Sequence, residues 1–162
     1  MAGSENHFTF DLDRAVFAQI TEALEASPTY PLVKSAGPAE SGIYALYYKS
    51  QLVYIGKASK ETTKSGRTLR QRLNEHVGKI SKHQNITLAE MTFRYLTFDS
   101  EWWAFAAEHA LISRIQPEWN YSGFGSKTPG SGRPGTSRVS VWDSQFPPKP
   151  ATSERVSGSS YS

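Results

Sequence analysis

Glu108 is a carboxylate in an apolar setting. Phe105 lies three residues before it, and Leu111, Ile112 and Ile115 lie three, four and seven after, the spacing of one helical face. An unpaired carboxylate buried there costs on the order of several kcal/mol. It must therefore sit at the edge of the stripe, lose its charge, pair with a cation or hold a metal ion. Arg72 and His76, one helical turn apart, border a second stripe of Leu69, Leu73, Val77 and Ile80. A guanidinium gives a phosphate two parallel hydrogen bonds, and an imidazole moves a proton near neutral pH. The same pair also reads as surface charge, and Lys79 and Lys82 further along read as solvated. Tyr44 and Tyr54 close and open the tripeptides Gly42-Ile43-Tyr44 and Tyr54-Ile55-Gly56. Each tripeptide alone reads as ordinary strand core.

These residues need elements to hold them. Leu12, Val16, Phe17, Ile20 and Leu24 predict a leading helix, with Asp11 as its cap and Pro28 and Pro31 ending the run. Gly42 to Tyr48 and Leu52 to Ile55 are β-branched and aromatic around the polar break Lys49-Ser50-Gln51, which predicts a hairpin. Helical spacing from Leu69 to Ile80 follows, then a strand over Glu90 to Phe98 with Met91, Phe93 and Tyr95 alternating. A helix over Glu101 to Ile115 ends before Pro117, its apolar stripe assigned to Trp103, Phe105, Ala107, Leu111, Ile112 and Ile115. The expected fold is α+β: a small three-stranded, mainly antiparallel sheet flanked by helices.

The chain has 162 residues, 38% of them hydrophobic and 12% aromatic, enough for one domain with a real core and too little for two of ordinary size. No apolar run approaches the ~18 residues of a membrane span, and the first ten residues lack the pattern of a secretory signal. A cytoplasmic protein without a membrane partner is expected. The absence of cysteine excludes disulfides, thiolate zinc sites and Cys nucleophiles, so any metal must take oxygen or imidazole ligands. The net charge of +3 is unevenly spread. Acidic residues dominate the first 30 positions, whereas Lys57, Lys60, Lys64, Arg67, Arg70, Arg72, Lys79 and Lys82 crowd residues 57–83, a segment able to sit on phosphates.

Taken together, Gly42-Ile43-Tyr44 and Tyr54-Ile55-Gly56 followed by Arg72, His76, Glu108 and Asn120 resemble the GIY-YIG nuclease superfamily over about residues 40 to 122. The Arg72–His76 spacing and the run Tyr54-Ile55-Gly56-Lys57-Ala58 resemble its type II restriction branch with SacII-like (CCGCGG) specificity. So do Gly123-Phe124-Gly125, Pro129-Gly130, Arg133 and Trp142-Asp143. One departure is that only Ala45 to Val53 separate the two tyrosines, where that branch carries an insertion able to touch DNA. The resemblance implies a metal-dependent DNA endonuclease acting on double-stranded DNA. Glu108 would be the sole protein ligand of a divalent cation, Mg²⁺ with Mn²⁺ able to substitute. Arg72 would stabilise the transition state and Tyr44 would accept the proton of the attacking water, helped by His76 or Lys57. Positive charge nearby would have to lower the Tyr44 pKa. Tyr54 would orient water or phosphate, and Asn120 would fix the site by hydrogen bonds.

The implied organisation is an N-terminal helical extension (1–39), a catalytic domain (40–122), a loop-rich segment (123–146) and a disordered tail (147–162). In the loop-rich segment Lys127, Arg133 and Arg138 are candidates for phosphate or guanine contacts. A homodimer on a palindromic site, with one active site per strand and no small-molecule cofactor, is the expected assembly. A structure-specific repair or recombination nuclease and a non-catalytic DNA-binding module of the same fold are the competing readings.

Overall fold

The computed structural model describes residues 6–60, 66–125 and 139–151. Helix α1 (Leu12–Ala26) starts where Asp11 accepts a hydrogen bond from the Arg14 backbone at 2.9 Å. Strands β1 (Tyr30–Pro31), β2 (Gly42–Tyr48) and β3 (Gln51–Ala58) precede helix α2 (Leu69–Ser81). Strand β4 (Met91–Leu96), helix α3 (Glu101–Ile115) and a short helix α4 (Val141–Gln145) complete the set. The sheet order is β1-β4-β2-β3, and every pairing is antiparallel. The hairpin turns on Lys49 and Ser50, at φ 48° and 66°. Two consecutive left-handed residues match the twist of the strands they join.

Four strands stand where three were expected. The extra one is β1, and its brevity and its Pro31 hid it: proline cannot donate to a ladder and is confined to edges. Its pairing with Phe93 and Thr92 of β4 is visible only once the chain has folded back.

Alternation along the strands divides two cores. Ile43, Ala45 and Ile55 face α1 and α3, against Leu24, Ala104, Ala107 and Leu111. Tyr44, Leu46, Tyr54, Met91 and Phe93 face α2 and the C-terminal aromatics Trp119, Phe124, Trp142 and Phe146. Arg94 ties α1 to the sheet by donating to the carbonyls of Leu24, Glu25 and Ser27 at the end of that helix, where cations are favoured.

Two sequence expectations change. The buried face of α3 is Ala104, Ala107, Ala110 and Leu111. Trp103 is 49% exposed, Phe105 57% and Ile115 38%. Small side chains bring α3 close to the sheet and α1, and the bulky ones turn outward. Glu108 is half-buried at the edge of that face. The stretch from residue 147 begins as a strap: Gln84 N–H donates to the Pro147 carbonyl at 2.7 Å and Lys149 N–H to the Lys82 carbonyl at 2.7 Å. Among the described residues no helix is long and apolar enough to cross a membrane.

Candidate active site

The two central strands carry the tyrosines on one face. Tyr44 pairs with Gly56 across the β2–β3 ladder, and its ring lies where a side chain at 56 would be. A Cβ at Gly56 would overlap the Tyr44 hydroxyl and ring. The glycine of the second tripeptide is therefore the floor on which the tyrosine of the first one lies. Helix α2 begins with a capping box between Thr68 and Gln71, which fixes its start and sets His76 two turns in, facing the sheet. The Tyr44 hydroxyl and His76 Nε2 are 2.7 Å apart, both buried. Around the imidazole stand Tyr44 (ring centroids 5.5 Å), Tyr54 (5.2 Å) and Phe124 (4.8 Å).

Burial governs the protonation states. His76 is pressed down to about 3 by burial, then by Arg72 and Lys79, so it is a neutral imidazole at any physiological pH. The Tyr44 hydroxyl is pushed well above its ordinary value of 10.0, first by burial and then by Tyr54, with Arg72 pulling the other way and Glu108 adding to the rise. Tyr54 is raised for the same leading reason, again lowered by Arg72 and raised by Glu108. The expectation that positive charge would lower Tyr44 is thus overturned in direction. Arg72 does act that way, but the cost of burying a phenolate is larger. For Arg72 burial opposes the charge, and Tyr44, Tyr54 and Glu75 more than offset it. Its Nη1 lies 3.4 Å from Glu75, which also meets Arg67 at 2.6 Å.

Asn120 has an unexpected partner. Its Oδ1 accepts from Ile55 N–H at 2.9 Å and its Nδ2 donates to the Ile55 carbonyl at 2.8 Å. This clips the outer edge of β3 next to Tyr54. Lys57 lies on the opposite face of β3 from Tyr54, with its ammonium 5.7 Å from the Phe105 ring centroid. The structure thus gathers Tyr44, Tyr54, Arg72 and His76, sets Glu108 within electrostatic reach and uses Asn120 as a clip. Lys127, Arg133 and Arg138 lie outside the described residues.

Lys79 and Phe124 join the site although neither is a candidate site residue in the sequence: Phe124 is marked there only within the Gly123-Phe124-Gly125 segment of the resemblance. Lys79, read as solvated, is half-buried and donates to the carbonyls of Gly123 and Phe124. Its position one turn after His76 was the only hint. A cavity of about 350 Å³ bounded by Ser41, Lys60, Asp99 and Glu101 lies near the start of α3; its lining includes neither tyrosine. Among the described residues no three His, Cys, Asp or Glu side chains gather as a metal site. A cation could take a single carboxylate, Glu108, and fill its remaining positions from water and a substrate's phosphate oxygens.

A family model described as the Eco29kI GIY-YIG domain matches residues 50–161. No curated protein matches the chain. Among solved structures it is similar to the GIY-YIG N-terminal endonuclease domain of UvrC from Thermotoga maritima, a point mutant bound to its catalytic divalent cation. The identity is 23%, over 63% of this chain and 94% of that one, with a TM-score of 0.35. Since the family model matches well over half of the sequence, this chain belongs to the Eco29kI GIY-YIG domain family, a restriction endonuclease family, and is a DNA endonuclease.

Proposed function

We propose that this chain is a metal-dependent type II restriction endonuclease cutting duplex DNA at a short palindrome, as a homodimer with one active site per strand. The observation that carries the reading is the buried Tyr44–His76 pair at 2.7 Å, beside Arg72 and under the charge of Glu108. Glu108 would hold Mg²⁺, with Mn²⁺ able to substitute. When bound, that ion supplies charge neutralisation at the phosphate and the leaving 3′ oxygen. Arg72 places its fork on the non-bridging oxygens. Tyr44 takes a proton from the attacking water as it gives its own to His76 Nε2, and Tyr54 orients water or phosphate.

Magnitude limits this relay. Protonating an imidazole with a pKa of about 3 at neutral pH costs roughly 5 kcal/mol. Ionising Tyr44 outright, with its hydroxyl above the ordinary value, costs at least about 4 kcal/mol. The resting protein is not primed by either route. The phosphate's negative charge favours an imidazolium, so the proton leaves only once DNA is seated. A cytoplasmic site of action and a SacII-like recognition sequence, CCGCGG, go with this reading.

The test is digestion of mixed-sequence plasmid DNA with and without Mg²⁺, followed by sequencing of the ends, beside Glu108→Gln. We expect Mg²⁺-dependent cuts at one palindrome, and a variant that binds DNA but does not cut. Full cleavage by Glu108→Gln removes its metal role. Preference for branched over plasmid DNA replaces restriction with structure-specific repair.

A further inference from the structure

Phe124 stacks on His76 with ring planes 15° from parallel and meets Tyr54 edge-on at 5.2 Å. Its ring is buried, 2% exposed. Lys79 holds it there: Nζ donates to the Phe124 carbonyl at 2.8 Å and the Gly123 carbonyl at 3.3 Å. The same ammonium lies 5.2 Å from the Phe124 ring centroid and 4.9 Å from that of Trp142. The backbone is shaped for this close approach. Gly123 has φ +90°, and a Cβ at Gly125 would press to 3.1 Å from the Tyr54 hydroxyl.

We propose that Phe124, held by Lys79, is a positioning residue for the Tyr44–His76 pair, keeping the imidazole aligned with the tyrosine hydroxyl and closed to water. It acts through His76 and touches no substrate atom. The inference rests on the nuclease reading of that pair. The χ2 torsion of histidine has broad minima, so the ring's orientation is set by what packs on its faces. Tyr44 and Tyr54 flank it from the sheet, and Phe124 supplies the flat surface on the remaining side. The titratable groups around the imidazole are Tyr44 from β2, Tyr54 from β3, and Arg72 and Lys79 from α2. Without the Phe124 ring, water reaches the imidazole and Nε2 gains a proton at higher pH. A protonated Nε2 can no longer accept from Tyr44.

The experiment compares Phe124→Leu, His76→Ala and the double variant in single-turnover cleavage of plasmid DNA with Mg²⁺ from about pH 5.5 to 8.5, alongside melts. Phe124→Leu should bind DNA like the parent and cut at least about tenfold more slowly. Its rate should fall on the acid side, where the parent's does not. The double variant should be no slower than His76→Ala alone, because the two act as one unit. Additive losses, or a parental pH profile in Phe124→Leu, would overturn the proposal and leave Phe124 as core packing. If Phe124→Leu does not fold, Phe124→Met keeps most of the packed volume without the flat ring, leaves the Lys79 charge beside the imidazole in place, and the same readouts apply. A parent that cuts no DNA would sink the nuclease reading instead. The positioning is then read on the protein alone by NMR: the His76 ring should titrate about two to three units higher in the variant, into the range where its protonation shows in the rate profile, and an unchanged titration refutes it.

Discussion

At Tyr44 the ring and the hydroxyl do separable work. The ring fills the space above Gly56, and the hydroxyl is the partner of a buried imidazole. Tyr44→Phe keeps the first and removes the second. It should abolish most cleavage while costing about 1–3 kcal/mol of stability, the price of leaving His76 Nε2 unsatisfied. A variant that melts a little lower and still cuts at the parental rate would make Tyr44 structural. His76 gives a separate, pH-dependent signature. Its folded pKa of about 3 lies below the unfolded 6.5, so the unfolded chain binds the extra proton and stability falls as pH drops below 6.5. At pH 5 the loss from this one group is about 2 kcal/mol. Melts of the parent and His76→Gln at pH 7.5 and 5 should differ by that amount; equal acid sensitivity would mean the imidazole is not buried neutral.

Among the elements, those announced by periodicity were legible in the sequence, and those made by chain reversal were not. The helix predicted over Glu101 to Ile115 is α3 residue for residue, because fifteen positions of helical spacing outweigh local ambiguity. Which face it buries was misjudged, since hydrophobic size favoured Trp103 and Phe105 whereas close packing favoured Ala104 and Ala107. The types and order of Tyr44, Tyr54, Arg72 and His76 were readable from the motif. The bonds of Asn120 to Ile55 and of Lys79 to Phe124 were not, because each joins segments distant in the chain. The Asn120 clip makes a sharp prediction for β3. Asn120→Ala should lower the melting temperature by roughly 5 °C, given about 1–2 kcal/mol for two lost bonds, and slow cleavage through misplaced Tyr54. Asn120→Asp should not restore either, because a carboxylate cannot donate to the Ile55 carbonyl. Restoration by Asp would show that the bond to the carbonyl is dispensable.

For the whole molecule, the catalytic face and the C-terminal segment share one core. Trp119, Phe124, Trp142 and Phe146 pack with Tyr44, Tyr54 and Leu73, so residues after 122 close the body of the domain. A chain ending at residue 122 would lose three buried aromatic side chains. At about 1.5–3 kcal/mol each, that is on the order of the entire stability of a small domain. Such a truncation should show no cooperative thermal transition; a sharp melt would restore 40–122 as an autonomous unit.

The Asn120 clip also bears on how two copies can meet. Strand β3 is one of the two outer strands of the sheet, and a bare outer strand is a template for another chain. At Ile55 both backbone groups already serve the Asn120 side chain, so an incoming strand would find that ladder position taken. Joining two sheets edge to edge through the middle of β3 is thereby blocked. In the homodimer proposed above, the two copies would therefore have to meet through other surfaces.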